Sequence, residues 1–282
     1  MRHWVMISIE QCLKRDQLLT SVSDTARLDV ELLLQGILKK SRAYLYAWPE
    51  KQLDESQYTE FEAQLKRRAQ GEPIAYITGE QGFWSLDLDV APCTLIPRPE
   101  TETLVELALS YLSDHSHVLD LGTGTGAIAL ALASEFRQAH IEAVDLSEEA
   151  VALAISNARK HRLQNVRFYQ SDWFENVNAR FDLIVSNPPY LEADDPHLSQ
   201  GDVRFEPHSA LVSGQDGLDD IRMICREAKK HFFDEGVLMI EHGWNQGEQV
   251  AAEFAAHGYS GIETHKDFGG RDRVTLARYA SE

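Results

Sequence analysis

From about residue 117 onward, short apolar runs alternate with segments of helical period, and this alternation constrains the fold more than anything else in the chain. Strands are predicted over 117–121, 140–144, 166–170, 181–186, 237–241, 261–265 and 273–278, and helices over 127–135, 148–161, 218–233 and 246–257. Such alternation, sustained over roughly 160 residues, requires a doubly wound parallel sheet. Ligands of these sheets bind beyond the carboxyl ends of the strands, close to the point where strand order reverses. Residues with chemistry to perform are therefore expected at strand ends.

Three motifs fall there. Val118-Leu119-Asp120-Leu121-Gly122-Thr123-Gly124-Thr125-Gly126 reads as a strand running into a glycine loop and then a helix. Its G-x-G-x-G spacing departs from the G-x-G-x-x-G of dinucleotide folds, and it lacks the Lys-Ser/Thr of a P-loop. A nucleoside with an amino-acid tail and no pyrophosphate suits it better. Asp145 ends the next strand, 23 residues beyond Gly122. That position suits a carboxylate accepting both ribose hydroxyls, ahead of the plain alternative of a helix cap for Ser147-Glu148-Glu149. Asp172-Trp173 follows the third strand, where an acid and an indole can meet a nucleobase; a core Trp beside a surface Asp explains the spacing almost as well.

The third motif is Asn187-Pro188-Pro189-Tyr190, directly after the buried run 181–186. Two prolines force an extended turn poor in hydrogen bonds, with an amide before it and a ring after it. Such a turn can pair with the N–H groups of a small planar amide or amine and stack on its face. An acid or amide followed by Pro-Pro and an aromatic arises by chance in under roughly one chain in a hundred of this length. A turn with a role is therefore preferred to an idle loop.

Residues 1–72 read as a helical domain: Ser23-Asp24 offers a cap for a helix rich in Leu and Val, and Asp54 a cap for another with Tyr58, Phe61 and Leu65 on one face. No catalytic cluster lies there, and docking of a substrate is its expected task. Residues 73–94 alternate around Gly79 and Gly82 and are expected to form a β-hairpin linker. The domain over 95–282 opens with the stiff segment Leu95-Ile96-Pro97-Arg98-Pro99-Glu100-Thr101-Glu102 before a helix at 103–112. The connection over 191–217 lacks periodicity and is expected to close over a partner's loop. Glu241-His242-Gly243 and Gly269-Gly270-Arg271 read as structural.

The chain carries 27 Lys+Arg against 45 Asp+Glu, a net charge of -18. That balance opposes a protein that grips nucleic acid by its phosphates. Cys12, Cys93 and Cys225 lie far apart without metal spacing, so reduced thiols, no metal and a cytoplasmic location are expected. The apolar run from Trp4 to Ile9 is too short for a signal peptide core or a membrane span.

Taken together, Gly122 to Gly126, Asp145 and Asn187 to Tyr190 resemble the motifs of class I S-adenosylmethionine-dependent methyltransferases that act on nitrogen. With the helical front end, the hairpin, Ile96-Pro97-Arg98-Pro99-Glu100-Thr101-Glu102 and Glu206-Pro207-His208-Ser209-Ala210-Leu211, the chain resembles the release-factor glutamine methyltransferases, the PrmC or HemK family, over nearly its whole length. The resemblance implies a seven-stranded Rossmann-like sheet with a small helical domain and a connecting hairpin. It implies S-adenosylmethionine as cofactor, bound along Gly122, Thr123, Gly124, Thr125 and Gly126, with Asp145 on the ribose, Trp173 by the adenine and Asn187 at the border. Asn187, Pro188, Pro189 and Tyr190 would hold the acceptor, the glutamine of the Gly-Gly-Gln loop of class-1 peptide release factors. Asn187, Pro188 and Tyr190 would act in catalysis, in a monomer. Related enzymes that methylate a ribosomal-protein glutamine share the turn. An adenine-N6 methyltransferase can share it too, but would need a basic face. A binding module without chemistry is opposed by the intact loop and turn.

Overall fold

The structure, a computed structural model, describes residues 6–281. Met1–Val5, which match no pattern of the family and include the start of the Trp4–Ile9 run, lie outside the described residues. The chain divides into two compact units. The first runs to Glu80 and takes in Pro196–Phe205; the second comprises Gln81–Asp195 and the chain from Glu206 onward.

In the first unit, β1 (Ile7–Ser8) pairs antiparallel with β2 (Gln52–Leu53), a pairing the helical reading did not foresee. The helices are α1 (Ile9–Leu13), α2 (Ala26–Leu38), α3 (Arg42–Ala47), α4 (Glu55–Ala69) and α5 (Ile74–Thr78). Asp54 caps α4 as expected, through a reciprocal box with Gln57. The cap expected from Ser23-Asp24 is not made: α2 starts after Thr25, with no side-chain cap bond. Val30, Leu33, Leu34, Leu45, Phe61 and Leu65 form the core. Residues 74–78, expected in the hairpin, are helical because Pro73 opens the turn and Gly79, at φ +79°, stops it.

Segment 196–205 belongs to this unit through charge. Arg68, only 5% exposed, donates to Asp29 at 2.6 Å and to Asp202 at 3.0 Å, and Arg204 donates to the Gln70 carbonyl at 2.9 Å.

The second unit begins one residue into β3 (Glu80–Phe83), which pairs with β4 (Leu86–Asp89); α6 (Glu102–Leu109) follows. Then β5 (His117–Leu121), α7 (Ala127–Glu135), β6 (His140–Asp145), α8 (Glu148–Lys160), β7 (Val166–Gln170) and β8 (Phe181–Ser186) follow in turn. The chain closes with α9 (Asp219–Ala228), β9 (Phe232–Glu241), α10 (Gly247–Ala256), β10 (Ser260–Lys266) and β11 (Asp272–Ala280). The helix expected over 218–233 stops at Ala228, and Phe232 already belongs to β9, on whose inner face it is buried.

The seven-stranded sheet has the order β7-β6-β5-β8-β9-β11-β10. Five strands are parallel; β11 runs antiparallel to both β9 and β10, a departure from the all-parallel expectation. Strand order reverses between β5 and β8. Their ends are flush, with Leu121 opposite Ser186, so the chain leaves the sheet side by side at Gly122 and Asn187. Leu130, Ala131, Leu183 and Met239 lie in the apolar cluster on one face of the sheet, and Ile184, Ile221, Leu238 and Phe254 in that on the other. Asn157 of α8 ties the hairpin to the glycine loop: its amide nitrogen donates to the carbonyls of Asp89 and Thr125, both at 3.0 Å.

Candidate active site

Gly122, Gly124 and Gly126 all have positive φ, which bends the chain sharply from β5 into α7. At Gly126 a Cβ would stand 3.1 Å from Leu130 and 3.2 Å from Ala154, so glycine allows α7 and α8 to pack closely. At Gly122 it would stand 3.6 Å from the Trp173 ring, which faces the loop across the cleft. Thr123 looks inward, its hydroxyl donating to the buried Asp120 at 2.6 Å. Burial pushes the Asp120 carboxyl up to about 7, against the bonds from Thr123 and the Ala129 N–H.

Asp145 ends β6 beside this loop. One carboxylate oxygen accepts from the Gly124 N–H at 2.9 Å, and the other from the Ser147 N–H at 2.9 Å. The cap of α8 is Ser147 itself, so Asp145 braces the loop rather than capping the helix. Burial raises its pKa while those N–H groups oppose the rise. Trp173 holds φ +46°, a strained setting for an indole-bearing residue, and with Asp220 it lines the cleft.

The cleft, a cavity of about 270 Å³, is walled by the glycine loop, Asp145, Asp172, Trp173, Asn187 and Pro189. Cys93, Leu95, Pro97, Arg98, Ser209 and Ala210 form its other wall. That wall joins two motifs distant in sequence. Buried Glu206 accepts from the Ile96 N–H at 3.0 Å and from the Arg98 guanidinium at 2.6 Å. Sequence reasoning noted both segments but not that Glu206 of one holds the backbone and guanidinium of the other.

At the end of β8, Asn187 donates through Nδ2 to the Thr101 hydroxyl at 3.3 Å, while its buried Oδ1 has no partner. Pro188 is buried beneath the cleft, and Tyr190 lies outside the cavity lining. The Tyr190 backbone is fixed on both sides: its N–H donates to the Leu211 carbonyl and its carbonyl accepts from Gln246 at 3.0 Å. Burial drives its phenol pKa upward, and the field of Glu241 adds to the rise. Glu241, expected to be merely structural, is a fully buried acid beside Thr101, raised to about 7 by desolvation. Asp267, by contrast, takes the N–H groups of Gly269 and Arg271 into a plain turn.

Chemically, the cleft offers three carboxylates, Asp145, Asp172 and Asp220, against one guanidinium, Arg98. It suits a cationic ligand far better than a pyrophosphate. A sulfonium nucleoside fits: glycine loop for close approach, carboxylate with spare lone pairs, indole for a base, and an unpaired acceptor at the far side. Among the described residues no group of three or more His, Cys, Asp or Glu side chains could hold a metal, and no helix is long and apolar enough to cross a membrane.

Comparison with known proteins agrees with this geometry. Residues 14–79 match the PrmC N-terminal domain and residues 100–202 the Methyltransferase small domain. The release factor glutamine methyltransferase of Pseudomonas aeruginosa is 54% identical over 277 residues, covering 98% of this chain and 100% of that protein. That of Escherichia coli is 47% identical, covering 99% of this chain and 98% of its own. A crystal structure of a methyltransferase from Pyrococcus furiosus aligns with 78% of this chain and 99% of its own, at TM-score 0.55 and 19% identity, which bears on fold alone. The sheet is a class I methyltransferase sheet, and the chain belongs to the release factor glutamine methyltransferase family.

Proposed function

We propose that this enzyme moves a methyl group from S-adenosylmethionine to the side-chain amide nitrogen of the glutamine in the Gly-Gly-Gln loop of a class-1 peptide release factor. The strongest support is the Asn187 Oδ1, a buried acceptor without a partner at the end of β8, in a residue that lines the cleft. An isolated buried acceptor is costly, and a substrate N–H would satisfy it.

The loop Gly122–Gly126, Asp145 and Trp173 hold the cofactor, which when bound supplies an electrophilic methyl on a sulfonium. Each Asp145 oxygen already takes one backbone N–H and keeps lone pairs for ribose hydroxyls. The acceptor nitrogen is a poor nucleophile, its lone pair delocalised into its carbonyl. Asn187 Oδ1 and the Pro188 carbonyl take its two hydrogens and turn the lone pair toward the cleft. Positioning and electrostatics provide most of the rate. No strong base is needed first, because methylation makes the nitrogen far more acidic. Pro189 forms the adjacent surface, and Tyr190 supports the turn from behind.

The helical unit recognises the protein substrate. The enzyme works as a monomer, without nucleic acid, consistent with its net charge of -18. It acts in the cytoplasm, where its three unpaired cysteines stay reduced. Labelled S-adenosylmethionine, purified release factor and peptide mapping test this reading. Label on the glutamine of the Gly-Gly-Gln loop is expected. Label on a ribosomal protein instead, or on neither, would overturn it.

A further inference from the structure

We propose that Gln246 is a positioning residue for methyl transfer. By holding the Tyr190 carbonyl it fixes the far end of the Asn187–Tyr190 turn, and with it the direction of the Pro188 carbonyl that the acceptor amide meets. This rests on the acceptor-holding role given to the turn above.

The turn has little with which to hold itself. Pro188 and Pro189 carry no N–H, so neither can tie the bend together by donating. Its shape therefore depends on its two ends. The near end is part of the sheet: Ser186 lies opposite Leu121 and Ile240 of the two flanking strands, and its hydroxyl donates to the Leu121 carbonyl at 2.8 Å. The far end, Tyr190, belongs to no strand. Its N–H donates at 3.2 Å to the Leu211 carbonyl, which also takes the Leu191 N–H at 2.8 Å. The Tyr190 carbonyl in turn accepts from Gln246 Nε2 at 3.0 Å.

The Gln246 amide can serve only one way round. Its Oε1 accepts the Gly243 N–H at 2.8 Å, and the Gln246 backbone N–H donates to the Gly243 carbonyl at 2.9 Å, closing the short turn between β9 and α10. A backbone N–H only donates and a carbonyl only accepts, so a flipped amide would set donor against donor and acceptor against acceptor. Gly243 leaves room for this arrangement, since a Cβ there would stand 2.8 Å from Gln246 Oε1. Gln246 is 6% exposed, so water competes poorly for its two bonds. Gly217 lies against the same contact: a Cβ there would stand 2.3 Å from the Tyr190 oxygen and 2.9 Å from Gln246 Nε2. Through Gln246, the Glu241-His242-Gly243 stretch at the end of β9 thus reaches the reacting turn.

The test uses full-length enzyme, purified release factor and S-adenosylmethionine. Gln246→Met keeps the bulk and loses both bonds; Gly217→Ala leaves Gln246 in place and wedges a methyl against the Tyr190 carbonyl. Each should lower kcat by about ten- to a hundredfold, the scale of misplacing a reacting group by an ångström. Calorimetric cofactor affinity and the KM for release factor should stay put, because the glycine loop and the helical unit are untouched. The double variant should be no slower than the slower single one, since both changes break one contact. A folded single variant with wild-type kcat, even one with a lowered thermal midpoint, would make the contact a prop of the fold and overturn the proposal. So would losses that multiply in the double variant. Should one single variant fail to fold, the kcat of the other decides alone. A wild-type enzyme that labels no release factor would sink the proposed function instead, which keeps the two failures apart.

Discussion

The proposed reaction turns on Asn187, whose side-chain oxygen is buried and without a partner. Asn187→Ala removes that acceptor and should slow turnover by about a hundred- to a thousandfold, as losing one preorganised group does in acyl transfer. Asn187→Asp keeps an oxygen in place and adds a charge near the sulfonium. That charge stabilises the reactant, but the nitrogen that gains positive charge lies equally close, so the effects largely offset. The expected order is wild type, then Asp, then Ala, measured at saturating cofactor; an Ala variant as fast as wild type would remove Asn187 from the site. Asp145 can be separated from it by binding alone. Asp145→Ala should weaken cofactor binding by about 1.5–3 kcal/mol, the range for hydrogen bonds to a charged group. Calorimetry giving unchanged affinity in the folded variant would show that Asp145 braces the loop and nothing more.

Among the elements, segment 196–205 depends most on a single distant residue. Arg68 holds it through Asp202 and at the same time neutralises Asp29 within the helical unit. Arg68→Ala leaves Asp29 buried without its cation, only the Thr25 hydroxyl still bonding it, at a cost of about 3–5 kcal/mol. Chemical denaturation should show that loss, and limited proteolysis should cut within 196–205; a variant as stable and as resistant as wild type would refute the assignment. The same segment shows where sequence reading stops. Strands β5 and β8, tight apolar runs, and β7, where Val166 and Phe168 alternate with polar Arg167, could be read to the residue. Segment 196–205 could not, since its partner lies 134 residues away. Residues 74–78 alternate apolar and small side chains as a strand would, and only Pro73 and Gly79 hint at one helical turn. The glycine loop, Asp145 and Asn187, which the fold brings to one cavity, stood out in the sequence by residue type and spacing. Thr101, Glu206 and Glu241 did not, because their meaning lies in being buried beside residues remote in sequence.

At the scale of the whole molecule, buried acids pull stability down as pH rises towards neutrality, while His231 and His242, which burial holds below the ordinary imidazole value, pull the other way. Asp120 and Glu241 are both raised to about 7 from ordinary values of 3.8 and 4.5, chiefly by desolvation. Between those limits the folded chain keeps two protons that the unfolded chain has lost. The unfolded state therefore binds fewer protons, and stability falls as pH rises through that window. It levels off above about 7, where both states are ionised. At about 1.4 kcal/mol per pKa unit, each acid costs up to about 3–4 kcal/mol at neutral pH, a large part of an ordinary stability margin. Below about pH 4 the slope reverses, because carboxylates held low by cations, Glu72 beside Arg67 and Glu227 beside Lys230, must take up protons. Asp120→Asn and Glu241→Gln should each raise the midpoint at pH 8 and flatten the decline from pH 5 to pH 7. Midpoints that decline in parallel for wild type and both variants would show that neither acid titrates in this range.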